Sequence, residues 1–81
     1  MKEKIAEYIS KTYLYGERTV ADDESLFGSG IIDSLGFIGL LSFLEESFGI
    51  RIEMSEITMD KFDTVNSIAA IVAEKQAGNS A

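Results

Sequence analysis

Eighty-one residues with 46% hydrophobic side chains and a net charge of −7 describe one small globular domain on a single core. There is no Cys and no His, which excludes disulfides, thiolate nucleophiles, sulfur or imidazole metal sites and a Ser–His dyad. No apolar run approaches the roughly 18 residues of a membrane span, and the start MKEKIAEYIS lacks the apolar core of a signal peptide, so a soluble, cytoplasmic chain is expected.

The first predicted helix carries Ile5, Tyr8, Ile9 and Thr12 at i, i+3, i+4, i+7, with Tyr13 beside them and Gly16 placed to end it. Residues 17–33 form a long loop, which in a small domain must pack or function. Leu26, Phe27, Ile31 and Ile32 indicate that it packs. The second helix runs from Ser34 to Phe48, with Phe37, Leu40, Leu41, Leu44 and Phe48 on one side and Gly49 closing it. Residues 50–63 space their apolar side chains too irregularly for a strand, and a short helix around 56–62 is predicted. Thr64 is a good N-cap for the last helix, which carries Val65, Ile68, Ala69 and Val72. The expected fold is all-α, a small four-helix bundle of three main helices and a short third one, with the long loop between helices one and two. Residues 1–76 make the domain and 77–81 a flexible tail.

Charge is uneven along this chain. Residues 17–63 hold eleven acids against Arg18, Arg51 and Lys61, net −8, whereas residues 1–16 are net +1. Such a surface repels nucleic acid and anionic lipid and attracts a basic protein partner, although acidity can also serve solubility alone. No D-x-D-x-D-G loop with a closing Glu is present, so no metal site is expected.

On the outer face of the second helix, a turn of about 100° per residue gathers Leu35, Gly39, Ser42 and Glu46. Gly36 and Gly39 each cost about 1 kcal/mol against Ala inside a helix. Either the helix tolerates them, or a second protein approaches closely. Phe43 lies at the border of this face and either packs inward or meets a partner. The pair Asp33-Ser34 suits a helix start, where a side-chain oxygen accepts a backbone N–H and an acid meets the positive end of the dipole. Ser34 then reads either as a plain cap or as a rigidly presented hydroxyl, and a phosphate on it would meet N–H groups that favour anions.

The segment DESLFGSGIIDSLGFIGLLSFLEESFGIRI resembles the core of the acyl carrier protein family. In that family a loop ending G-x-x-D-S-L enters helix two, here Gly30 to Leu35, and TVNSIAAIVAEK resembles its last helix. The resemblance implies that Ser34, flanked by Asp33 and Leu35, receives 4′-phosphopantetheine from coenzyme A. The thiol of that arm would carry acyl or aminoacyl groups as thioesters.

It implies a carrier rather than an enzyme, acting as a monomer. Its partners would be a phosphopantetheinyl transferase, a loading enzyme and downstream transferases or synthases that dock basic patches on Leu35, Gly39, Ser42, Glu45 and Glu46. Gly36 and Gly39 stand where many fatty-acid carriers have acids, which makes a dedicated carrier for a specialised acyl, polyketide or aminoacyl pathway an alternative to one for fatty-acid biosynthesis. Phe37 stands near the entrance of the family's acyl space, where a smaller residue is frequent, and this points to short or polar cargo. The alternative is a helical interaction module in which Ser34 is only a cap.

Overall fold

The computed structural model describes residues 1–79, with α1 at Lys2–Tyr13, α2 at Ser34–Phe48 and α3 at Val65–Asn79. No strand occurs among the described residues, and no helix there is long and apolar enough to cross a membrane. The predicted short helix around 56–62 is instead two separate 3₁₀ turns, Met54–Glu56 and Asp60–Phe62. Each is a single turn. Glu53 donates its N–H to Glu56 Oε2 at 2.8 Å in the first, and Phe62 is fully buried in the second. Between α2 and α3 the described residues thus hold two 3₁₀ turns where one short helix was expected. The segment expected as a tail begins inside α3, which runs to Asn79; Ser80 and Ala81 lie outside the described residues.

α1 buries Ile5, Ile9 and Ser10, and half-buries Tyr8 and Tyr13, while Thr12 is exposed. The inward stripe therefore drifts to Tyr13 rather than ending on Thr12. The helix ends before Gly16, because Tyr15 already enters the left-handed region at φ 57° and Gly16 follows at φ 73°. Leu14 and Gly16 both donate their N–H to the Ser10 carbonyl, closing the turn. Tyr15 is 85% exposed.

The long loop packs as its composition predicts. Leu26 and Ile32 are buried, Phe27 and Ile31 half-buried, and Val20, which the sequence reading did not select, is buried too. Irregular backbone must still satisfy its polar groups, and here Asp63, just before α3, does much of that. Its carbonyl accepts from Leu26 N–H at 2.7 Å, Oδ1 accepts from Phe27 N–H at 3.0 Å and Oδ2 accepts from Ser25 Oγ at 2.7 Å. Asn66 N–H reaches back to the Asp22 carbonyl at 3.0 Å. α3 starts where expected: Thr64 Oγ1 accepts from Ser67 N–H at 3.0 Å. Val65, Ile68 and Val72 are fully buried, and α3 packs against both α1 and α2.

α2 closes on Gly49 at φ 62°, whose N–H bonds the Glu45 carbonyl. Phe37, Leu40 and Leu44 enter the core. Phe37 stands edge-on to Phe27 (centroids 5.0 Å) and tilted against Phe62 (5.5 Å), so three aromatic rings from the loop, α2 and the second 3₁₀ turn meet at one point. Phe43 turns inward: it stacks on Tyr8 at 3.9 Å and 10°. Lys75 and Glu56 pair at 2.6 Å and tie α3 to the first 3₁₀ turn.

The hydrogen bond from Ser25, then that from Phe27 N–H, holds the Asp63 carboxyl below the ordinary Asp range. Its contribution to stability is therefore fully present above the unfolded value of about 3.9 and is lost as pH falls through the lower folded value. Asp63→Asn should melt below the unmodified protein at pH 7, with the gap closing as pH drops below about 4. Thermal melts between pH 7 and 3 check this, and a gap independent of pH would show that the charge of Asp63 is not what holds the loop.

Candidate functional site

The start of α2 separates two jobs that the sequence left on one pair of residues. Asp33 is the N-cap: its backbone is extended (φ −100°, ψ −174°) and Oδ1 accepts from Gly36 N–H at 2.7 Å. Ser34 is the first helical residue, one position inside the cap. Its side chain is exposed and its hydroxyl has no hydrogen bond among the described residues. The expectation that Ser34 itself caps the helix is thus corrected, and the physical reason is reach. The cap residue must lie outside the helix for its oxygen to turn back onto the second or third N–H.

The approach to this turn is set by Gly30, which adopts φ 81°, a conformation that side chains disfavour. Its N–H bonds the Phe27 carbonyl at 3.1 Å, and two residues later Ile32 N–H returns to the Leu26 carbonyl at 3.0 Å with its side chain buried. Asp33 and Ser34 emerge from this anchor into solvent.

The glycines of α2 lie against the tyrosines of α1. The Tyr13 hydroxyl donates to the Gly36 carbonyl, and the Tyr8 hydroxyl to the Gly39 carbonyl at 3.3 Å. A Cβ on Gly36 would stand 2.8 Å from Tyr13 Cε1, closer than packed atoms allow, and a tight 3.2 Å from Asp33 Oδ1. A Cβ on Gly39 would meet the two tyrosine hydroxyls at 3.6 and 3.7 Å, ordinary contact distances. Gly36 is therefore a steric requirement, while Gly39 is tolerated. Burial raises the Tyr13 pKa, with the neighbouring Tyr8 adding to it, so the Tyr13 hydroxyl remains a donor.

These contacts redraw the outer face. Leu35 is 80% exposed and Ile38 62%, and Ser42 and Glu46 are exposed with them. Gly39 is half-buried under the tyrosines. Glu45 is half-buried too, and its Oε2 accepts from Ile52 N–H at 2.9 Å, so that carboxylate fastens the segment after α2. The face is therefore Leu35, Ile38, Ser42 and Glu46, one residue per turn, with Ser34 and Asp33 at its head. Ile38 was missed in the sequence, although it lies three residues after Leu35 and four after Ser34. The available signal was an isoleucine off the stripe of Phe37, Leu40 and Leu44.

Chemically the site can accept a covalent group but cannot activate one. An exposed primary hydroxyl stands at the positive end of a helix, free of structural duty, in a chain without His or Cys. A phosphodiester fits there: the linking oxygen breaks no internal bond when it is substituted, and the helix N-terminus favours the phosphate charge. Such a site suits covalent modification by a separate enzyme.

Comparison with known proteins agrees. Residues 3–72 match the family model described as the phosphopantetheine attachment site. The chain is also 36% identical over 76 residues to D-alanyl carrier proteins of Streptococcus sanguinis, Streptococcus gordonii and Streptococcus thermophilus, covering 91% of this chain and 92% of each relative. The protein belongs to the phosphopantetheine-attachment family: it is a carrier that holds acyl or aminoacyl groups as thioesters on a 4′-phosphopantetheine arm.

Because the cap is Asp33, Asp33→Ala should cost about 1 kcal/mol and lower Tm by roughly 4–8 °C. Ser34→Ala should leave Tm within a degree or two, since it removes no hydrogen bond. Paired thermal melts by circular dichroism check this, and a larger loss for Ser34→Ala than for Asp33→Ala would return the capping role to the serine.

Proposed function

We propose that Ser34 is the residue that carries the arm, with Asp33 and Leu35 as its immediate frame. The observation that supports this best is the division of labour at the start of α2. Asp33 takes the cap, and the Ser34 hydroxyl is left exposed and unbonded. When the arm is attached, it supplies the thiol that the chain lacks. In the transfer from coenzyme A, the Ser34 oxygen forms the new P–O bond of the phosphodiester while the pyrophosphate P–O bond of coenzyme A breaks and adenosine 3′,5′-bisphosphate leaves with its electron pair. The serine proton passes to a base on the phosphopantetheinyl transferase, because the chain offers no imidazole or thiolate of its own.

The loading enzyme and the downstream enzymes dock on the face of Leu35, Ile38, Ser42 and Glu46, where two exposed apolar side chains are bracketed by Asp33 and Glu46. A basic rim around a small apolar patch complements that face. The protein works as a cytoplasmic monomer, its carrier domain spanning residues 1–76. It is a carrier throughout and catalyses nothing itself.

The cargo is aminoacyl, of the size of alanine. Two observations support this: the relatives that match over nearly the whole chain are D-alanyl carriers, and Phe37 fills the core beside α2 between Phe27 and Phe62. A long acyl chain would need the volume these rings occupy.

Incubation with coenzyme A and a phosphopantetheinyl transferase, followed by intact-mass analysis, should add one phosphopantetheinyl group to the protein and none to folded Ser34→Ala. A folded Ser34→Ala protein that still gains the mass would move the site elsewhere. For the cargo, octanoyl-loaded and unloaded protein should melt together. Sheltering even two or three methylenes, at roughly 0.8 kcal/mol each, would raise Tm by on the order of 10 °C. Phe37→Leu should open a gap in favour of the loaded form, and a large gap in the unmodified protein would contradict the small-cargo reading.

A further inference from the structure

We infer that Tyr13 is a positioning residue for the modification of Ser34, holding the first turn of α2 in the orientation that a transferring enzyme requires. This rests on Ser34 being the attachment residue. A helix start is the part of a helix least held by its own hydrogen bonds, since its first N–H groups have no intrahelical acceptor. Ends of this kind open at little cost. A nucleophile carried there is correctly aligned only while the turn stays closed, and a misplacement of about 1 Å can cost up to about 100-fold in rate.

In this chain one residue of that turn, Gly36, is gripped through both its N–H and its carbonyl. The N–H of Gly36 is taken by Asp33 Oδ1 at 2.7 Å, and its carbonyl receives the Tyr13 hydroxyl. A carbonyl has two lone pairs, so the tyrosine adds to the helical bond rather than replacing it. Asp33 is part of the entering loop and can move with the turn. Tyr13 comes from α1, and through it the turn is fastened to another helix. The grip also explains a glycine that propensity disfavours: a Cβ at position 36 would stand 2.8 Å from the Tyr13 ring.

Tyr8 supplies an internal control. Its hydroxyl makes the corresponding bond one turn later, to the Gly39 carbonyl at 3.3 Å, and its ring is fixed by stacking on Phe43. It holds α1 to α2 without touching the turn that bears Ser34. Neither hydroxyl belongs to the exposed face of Leu35, Ile38 and Glu46, so removing either leaves the docking surface intact.

The test is the kinetics of modification by a phosphopantetheinyl transferase with coenzyme A, using the intact protein and its Tyr13→Phe, Tyr8→Phe and Gly36→Ala variants. Tyr13→Phe should lower kcat about tenfold with KM for the carrier unchanged, and amide exchange in the first turn of α2 should quicken. Tyr8→Phe should keep the parental kcat. Gly36→Ala, which displaces the Tyr13 ring without deleting its hydroxyl, should reproduce the kcat loss should Tyr13→Phe fold poorly. A parental kcat in folded Tyr13→Phe, an equal loss in Tyr8→Phe, or a rise in KM alone would each overturn the inference. Failure of the unmodified protein to accept the group at Ser34 is a separate result, and it would overturn the attachment reading beneath it.

Discussion

The presentation of Ser34 depends on the backbone of a single residue, Gly36. Asp33 holds its N–H and Tyr13 its carbonyl, and the two bonds join the loop, α1 and α2 where the chain must be both rigid and exposed. Rigidity without burial is difficult for a domain of this size, because a small core leaves most helix ends in water. The usual remedy, packing a large side chain over the turn, would cover the hydroxyl. Here the tyrosine works from the far side of the helix, and the absence of a Cβ at position 36 lets it approach. The serine stays in solvent while its backbone is held.

The rest of the molecule supports that geometry. Leu26 and Ile32 sink into the core on either side of the turn at Gly30, and Asp63 secures the backbone around them through three acceptor oxygens. Phe27 and Phe62 then close on Phe37, so the loop, the second 3₁₀ turn and α2 share one aromatic contact. Under the proposed function these rings occupy volume that a long acyl chain would need, in keeping with a small cargo.

Much of this was legible in the sequence because it is local. The bounds of α2 follow from Asp33-Ser34 at one end and Gly49 at the other, and both appear in the structure as a side-chain cap and a left-handed residue. Thr64 announces α3 in the same way. What the sequence concealed depends on partners far along the chain. Gly36 and Gly39 read either as tolerated or as room for a visiting protein, and nothing nearby shows that Tyr13 and Tyr8, more than twenty residues earlier, come to rest against them. Glu45 was counted with the docking acids because its bond to Ile52 N–H depends on how the chain leaves the helix. Ile38 was passed over when a wheel drawn from Leu35 was carried to Gly39. The segment 50–63 became two 3₁₀ turns because its buried positions, Ile50, Ile52 and Phe62, are too scattered to support a helical stripe.

The central claim is that the arm is joined to Ser34 and to no other hydroxyl. Alanine substitution bears on it indirectly, whereas locating the group on the unaltered protein bears on it at once. Fragmentation mass spectrometry of the phosphopantetheinylated chain is the direct measurement. All of the added mass should reside on Ser34, with Ser25, Ser29, Ser42 and Ser47 unmodified. Finding it on any of those residues, or divided among several, would contradict the account.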